Sequence, residues 1–181
     1  MKSIYLVRHC QASGQSFESR LTEKGKVQAK ELRRFFESIP LERIICSPYK
    51  RTEESCKEIA ESKNIHIEHD TRLKERVLSK VEIPDWKENL YQSFLEPNMK
   101  LTGGESSFEA AQRGIGVIKD VLKREETTTM IVTHGNLMTL ILNYFDSSYG
   151  FETWRSLTNP DVYCLVYHKN QMNIERIWER E

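Results

Sequence analysis

The chain has 181 residues, a length that suits one domain burying roughly 70% of the surface its unfolded form exposes. Its 38% hydrophobic and 30% charged residues exclude a disordered chain and fit a soluble globular one. Lys and Arg total 27, as do Asp and Glu, so no overall charge favours nucleic acid or an acidic membrane, and an anion site has to be a local cluster.

In chain order, residues 3–7 (SIYLV) are short, apolar and β-branched, which predicts a buried strand. A helix is predicted over 22–38, with Thr22 as its cap and Val27, Leu32, Phe35 and Phe36 at roughly helical spacing; Gly25 weakens it and Pro40 ends it. RIIC at 43–46 reads as a second strand. Ser47 and Pro48 then open a helix running to about Lys63, serine as cap and proline in the first position. IHIEH at 65–69 alternates as a strand does. The stretch 76–104 contains Pro84, Pro97 and the pair Gly103-Gly104, and reads as a lid insertion over one face of the core. Within it Trp86, Leu90 and Phe94 fall at i, i+4 and i+8, which predicts a short amphipathic helix. A further helix spans 105–124. TMIVTHG at 129–135 is a buried strand and turn, NLMTLILNYF a helix, and VYCLVYH and NIERIW two late strands around the turn KNQ. This alternation argues for a layered α/β fold with a mainly parallel sheet, in a single domain over 1–181.

Ligands of such sheets bind at the C-terminal ends of the strands. Arg8 and His9 directly follow the first strand, Ser47 to Arg51 the second, Glu75 lies just beyond IHIEH, and His134 follows MIVT. The fold therefore brings two histidines, two arginines and a glutamate to one rim. Each alone has a structural reading: a solvated helix arginine, a capping histidine, a surface glutamate. Together they suit phosphoryl transfer. Two guanidinium forks can hold a phosphate monoester bidentately. A neutral imidazole can attack if its other nitrogen is locked by an acceptor. His134 can donate to an equatorial oxygen, and a protonated Glu75 to the leaving oxygen. Arginine and histidine supply the positive charge, so neither metal nor cofactor is expected.

Cys10, Cys46, Cys56 and Cys164 are scattered, without a Cys-x-x-Cys pair, which points to free thiols in a reducing compartment. MKSIYLVRH has too short an apolar run for a signal peptide, and LMTLILNYF is about half a membrane span; the expected location is cytoplasmic. His66, His69 and Asp70 do not read as metal ligands, because strand positions three apart face opposite sides.

LVRHCQAS, LTEKGKVQA, CSPYKRTEES, RLKE, TGGES and IVTHGN together, in that order, resemble the histidine phosphatase superfamily, also called phosphoglycerate mutase-like, over nearly the whole chain. The resemblance implies a three-layer α/β/α sandwich. It implies a phosphohistidine on His9, phosphoryl binding by Arg8, Arg51 and His134, and Glu75 as general acid and base; Gln15 or Ser16 is a further polar contact to phosphate. Cys10 stands where the family usually has a smaller residue, and its carbonyl can still accept from the histidine. The segment after Glu75 keeps Trp86 but lacks the family's glycines.

Cys10 also invites comparison with cysteine-dependent phosphatases, whose signature runs histidine-cysteine, five residues, arginine. Here Ser16 occupies the arginine's place; Cys46 has Arg51 one position short, with Pro48 between. His9 is thus favoured as nucleophile. The expected activity is a phosphatase acting on a small phosphorylated metabolite, with no nucleic-acid or membrane partner. A mutase and a non-catalytic phosphate-binding protein are the alternatives. Short covering segments favour hydrolysis, because a mutase has to keep water from its intermediate. Trp86, Tyr91, Lys80, Lys87 and Lys100 are candidate substrate contacts, with Ser106 near the site. The oligomeric state is not legible.

Overall fold

The computed structural model describes residues 1–178; the last three residues of the predicted 1–181 domain lie outside it. Its elements are β1 (Lys2–Arg8), α1 (Glu23–Phe35), β2 (Arg43–Cys46), α2 (Lys50–Lys63), β3 (Ile67–His69), α3 (Trp86–Leu95), α4 (Ser107–Lys123), β4 (Thr128–Thr133), α5 (Gly135–Phe145), α6 (Phe151–Ser156), β5 (Asp161–His168) and β6 (Gln171–Arg176). The strands form one six-stranded sheet in the order β3-β2-β4-β1-β5-β6. β1, β2, β3 and β4 run parallel, while β5 pairs antiparallel with β1 and β6 antiparallel with β5.

Strand periodicity divides the core. Ile4 and Leu6 of β1, Ile45 of β2 and Ile131 of β4 point to one face, where they pack with α4 and α5. Val7, Ile44, Cys46, Met130 and Val132 point to the other, under α1 and α2. Both faces are covered, which is why these strands read as continuous apolar runs. The result is the predicted three-layer α/β sandwich.

The register fixes the rim. Arg8 pairs with Thr133, and Cys46 with Val132 and His69, so the parallel strands end level and their next residues emerge side by side. β5 begins at the same rim, because Asp161 pairs with Arg8.

Three local readings change. α2 begins at Lys50 with Tyr49 in the cap position, so Ser47 and Pro48 belong to the preceding loop rather than to the helix start. Val27 is exposed: the buried face of α1 is Gly25, Gln28, Ala29 and Leu32. α6 was not expected; six residues are too few to show a helical period. In α3, Leu90 is buried and Phe94 packs on the core, while Trp86 is 45% exposed and meets Trp154 of α6 with ring centroids 6.0 Å apart.

Candidate active site

His9 follows β1 directly. Its Nδ1 lies 2.7 Å from the Cys10 carbonyl, an acceptor only, so Nδ1 carries the proton and donates. Nε2 is then an unprotonated lone pair, and Arg51 Nε donates to it at 3.2 Å. His9 is 7% exposed. Burial, with the positive charges of Arg51 and Arg8, lowers its pKa to about 3 against the opposing Cys10 carbonyl bond, so the ring is neutral at physiological pH. The asparagine of the Asn159–Pro160 turn donates Nδ2–H to the His9 carbonyl at 2.8 Å and fixes its backbone.

Arg51 lies in the first turn of α2 and is almost wholly buried. Its Nη1 donates to the carbonyls of Gln15 and Ser16 at 3.3 and 2.9 Å, and its Nη2 to His134 Nδ1 at 3.2 Å. Arginine only donates, so His134 Nδ1 accepts and its proton sits on Nε2, 2.8 Å from Ser47 Oγ. Burial, then the neighbouring His9 ring and the charge of Arg51, holds the His134 pKa well below the ordinary histidine value. The expected donor to an anion thus has its one N–H on Ser47 and holds Arg51 through its other nitrogen.

Arg8 donates Nη1–H to the carbonyls of Leu157 and Thr158 at 3.1 and 3.3 Å, while its Nε is buried without a hydrogen-bond partner. A Cβ on Gly135 would stand 3.1 Å from that Nε, so glycine at the start of α5 lets the guanidinium lie close to the helix. Glu75 closes the rim. Its Oε1 accepts from the amides of Arg76 and Leu137 at 2.8 and 2.9 Å, and its Oε2 from the amide of Asn136 at 3.1 Å. These last two are free amides of the first turn of α5, where a carboxylate is favoured. Burial lowers the pKa of both Arg8 and Arg51, and the charge of Glu75 opposes that shift in each.

Arg8, His9, Arg51, Glu75 and His134 therefore converge, as strand ends require. Gln15 contributes its carbonyl to Arg51 and leaves its side chain exposed. Sequence reasoning missed Asn159, whose asparagine-proline pair signals only a turn, and gave Ser47 the wrong role. Cys10 is fully buried, and burial pushes its thiol up to about 12, which leaves no thiolate to attack. His69 meets Glu53 at 3.4 Å at the exposed edge of the sheet. Among the lid candidates, Lys100 pairs with Glu109 at 2.7 Å, Lys87 lies over Trp86 at 5.6 Å, and Tyr91 packs on Phe151 at 5.2 Å. Ser106 caps α4 in a reciprocal box with Glu109. No described helix is long and apolar enough to cross a membrane.

A sequence model described as the histidine phosphatase superfamily (branch 1) matches residues 4–180. The chain belongs to that superfamily. The chain is 29% identical over 147 aligned positions to phosphoserine phosphatase 1 of Hydrogenobacter thermophilus, covering 73% of this chain and 70% of that one. It is also 29% identical over 194 aligned positions to the probable phosphoglycerate mutase GpmB of Salmonella choleraesuis, covering 94% and 87%. The fold matches phosphoserine phosphatase of Entamoeba histolytica in complex with 3-phosphoglyceric acid, with a TM-score of 0.81 at 17% identity over 99% of this chain and 98% of that one. YhfR of Bacillus stearothermophilus matches with a TM-score of 0.77 at 22% identity, covering 97% and 96%. The superfamily therefore includes phosphatase-like and mutase-like relatives of this chain.

Proposed function

We propose that this member of the superfamily is a phosphatase that hydrolyses a small phosphate monoester through a phosphohistidine on His9. The observation that carries the reading is the tautomer of His9: the Nδ1–H is held by the Cys10 carbonyl, and the Nε2 lone pair faces the Arg51 guanidinium. A phosphate drawn to Arg51 and Arg8 brings its phosphorus to that lone pair. Nε2 attacks, the N–P bond forms as the ester P–O bond breaks, and Glu75, carrying a proton taken up with the substrate, passes it to the departing oxygen. Glu75 then takes a proton from water, the hydroxide attacks phosphorus, and inorganic phosphate leaves as the N–P bond breaks. The phosphate charge raises the pKa of His134, so that Nδ1 becomes protonated and donates to a phosphoryl oxygen once Arg51 turns to the anion. The chemistry draws its positive charge from arginine and histidine and uses no metal.

The test is hydrolysis of an aryl phosphate in the presence of chelator, with trapping of the acid-labile phosphohistidine. Expected are turnover by the wild type, its loss in His9→Ala, and most of it kept in Cys10→Ser. Loss in Cys10→Ser with retention in His9→Ala would overturn the choice of nucleophile. The match to a probable mutase over 94% of this chain favours one competing reading. Isomerisation of phosphoglycerate without release of inorganic phosphate would establish that reading instead.

A further inference from the structure

The rim of the site beside Arg51 is aromatic. The Tyr49 ring centroid lies 4.9 Å from that of His134 and 4.6 Å from Arg51 Cζ, so one ring backs two of the proposed phosphate-binding side chains. Phe17 packs on Tyr49 with centroids 5.0 Å apart and planes inclined at 51°, yet remains 42% exposed.

The Phe17 backbone is anchored to the site itself. Its carbonyl accepts from the Lys50 amide at 3.1 Å, and the two carbonyls before it accept from Arg51 Nη1 at 3.3 and 2.9 Å. The bonds that orient Arg51 therefore also hold a phenyl ring at the surface. Neither ring belongs to the apolar clusters on the two faces of the sheet.

The charge around the site points the same way. Among the described residues the buried arginines are Arg51 and Arg76. Arg76 donates to Ser93 Oγ at 2.7 Å and to the Glu105 carbonyl at 3.2 and 3.1 Å, so all three of its nitrogens are engaged. Arg113 is paired with both oxygens of the Glu105 carboxylate at 2.7 and 2.9 Å. A second anionic group on the substrate, such as a carboxylate, meets guanidiniums that already have partners. A flat leaving group meets the exposed Phe17 ring, which Tyr49 backs.

We infer that Phe17 and Tyr49 form the leaving-group subsite, and that the enzyme prefers monoesters whose alcohol carries a planar aromatic ring over phosphorylated hydroxy acids. The inference rests on the phosphatase reading for its substrates, but the ring's contribution to binding can be read without turnover. Phenylphosphonate and methylphosphonate share the phosphonate group and differ in the ring. Calorimetric titration of the wild type is expected to show phenylphosphonate binding roughly three- to tenfold more tightly. That preference should vanish in Phe17→Ala and persist in Phe17→Tyr. The ratio of kcat/KM for phenyl phosphate to that for 3-phosphoglycerate should fall by a similar factor in Phe17→Ala, intrinsic leaving-group reactivity cancelling between the two enzymes. Equal or undetectable binding of the two phosphonates, or a ratio indifferent to Phe17→Ala, overturns the subsite. A wild type that keeps the phosphonate preference but hydrolyses neither ester overturns the phosphatase reading and leaves the subsite standing.

Discussion

Arg51 joins most of the site, since one guanidinium touches His9, His134 and the loop at Gln15 and Ser16. Lysine keeps the charge but loses the fork, so Arg51→Lys is expected to lower kcat/KM at least a hundredfold, about 3 kcal/mol. Steady-state kinetics on an aryl phosphate would show it. Ser47→Ala removes the acceptor of the buried His134 Nε2–H, at a cost of about 1–3 kcal/mol in stability. A second consequence concerns the His134 proton. Sulfate stays a dianion near neutrality, so its binding at pH 6 should take up a proton as His134 becomes charged. Calorimetry in buffers of different ionisation enthalpy would detect the uptake, and His134→Gln should abolish it. At this scale the sequence was legible where a residue type has few alternative uses: Arg8 ends β1, His9 and His134 follow strands directly, and Arg51 follows a short turn. Ser47 and Asn159 were illegible because serine before proline and asparagine before proline serve caps and turns far more often than catalytic rings.

The loop carrying His9 is secured by the helix that follows it. Gln28 Oε1 accepts from the Gln11 amide at 2.8 Å, and the Gln11 carbonyl accepts from the Thr22 amide at 3.1 Å. A Cβ on Gly25 would stand 2.0 Å from that carbonyl. Alanine would favour the helix by about 1 kcal/mol, but forcing backbone from backbone costs about 1–3 kcal/mol, and the clash is severe. Gly25→Ala is therefore expected to destabilise the protein by about 2 kcal/mol in urea unfolding and to raise KM as the loop shifts. The same glycine looked like a weakness in the sequence, because helix propensity is local and the carbonyl it admits comes from a distant turn. Ser106→Ala removes a reciprocal cap of α4, with an expected loss of about 1 kcal/mol in the same measurement. The signal for that cap is local, a serine after paired glycines and before an apolar period. The start of α2 was not: Ser47 resembles a cap, but the His134 imidazole claims its hydroxyl.

Over the whole molecule, burying two neutral histidines makes stability depend on pH. His9 titrates near 3 in the folded protein and near 6.5 when unfolded, and His134 is shifted in the same direction. Between these values the unfolded chain binds protons that the native chain does not. Unfolding free energy should therefore fall as pH drops below about 6.5, by up to about 1.4 kcal/mol per pH unit for each histidine, and level off above it. Urea unfolding from pH 5 to 7.5 would reveal the slope, which should flatten in a His9→Asn, His134→Gln double variant. The sequence by itself determined the α/β architecture and the rim on which the reactive residues meet, because strand periodicity, helix periodicity and the strand-end rule are properties of short segments. Only the tertiary structure decided which nitrogen of His134 carries its proton, which aromatic rings stand at the mouth, and which arginines are already engaged. Those depend on partners distant in the chain, Arg51 and Ser47 in the case of His134, and no local pattern encodes a contact between segments that only folding brings together.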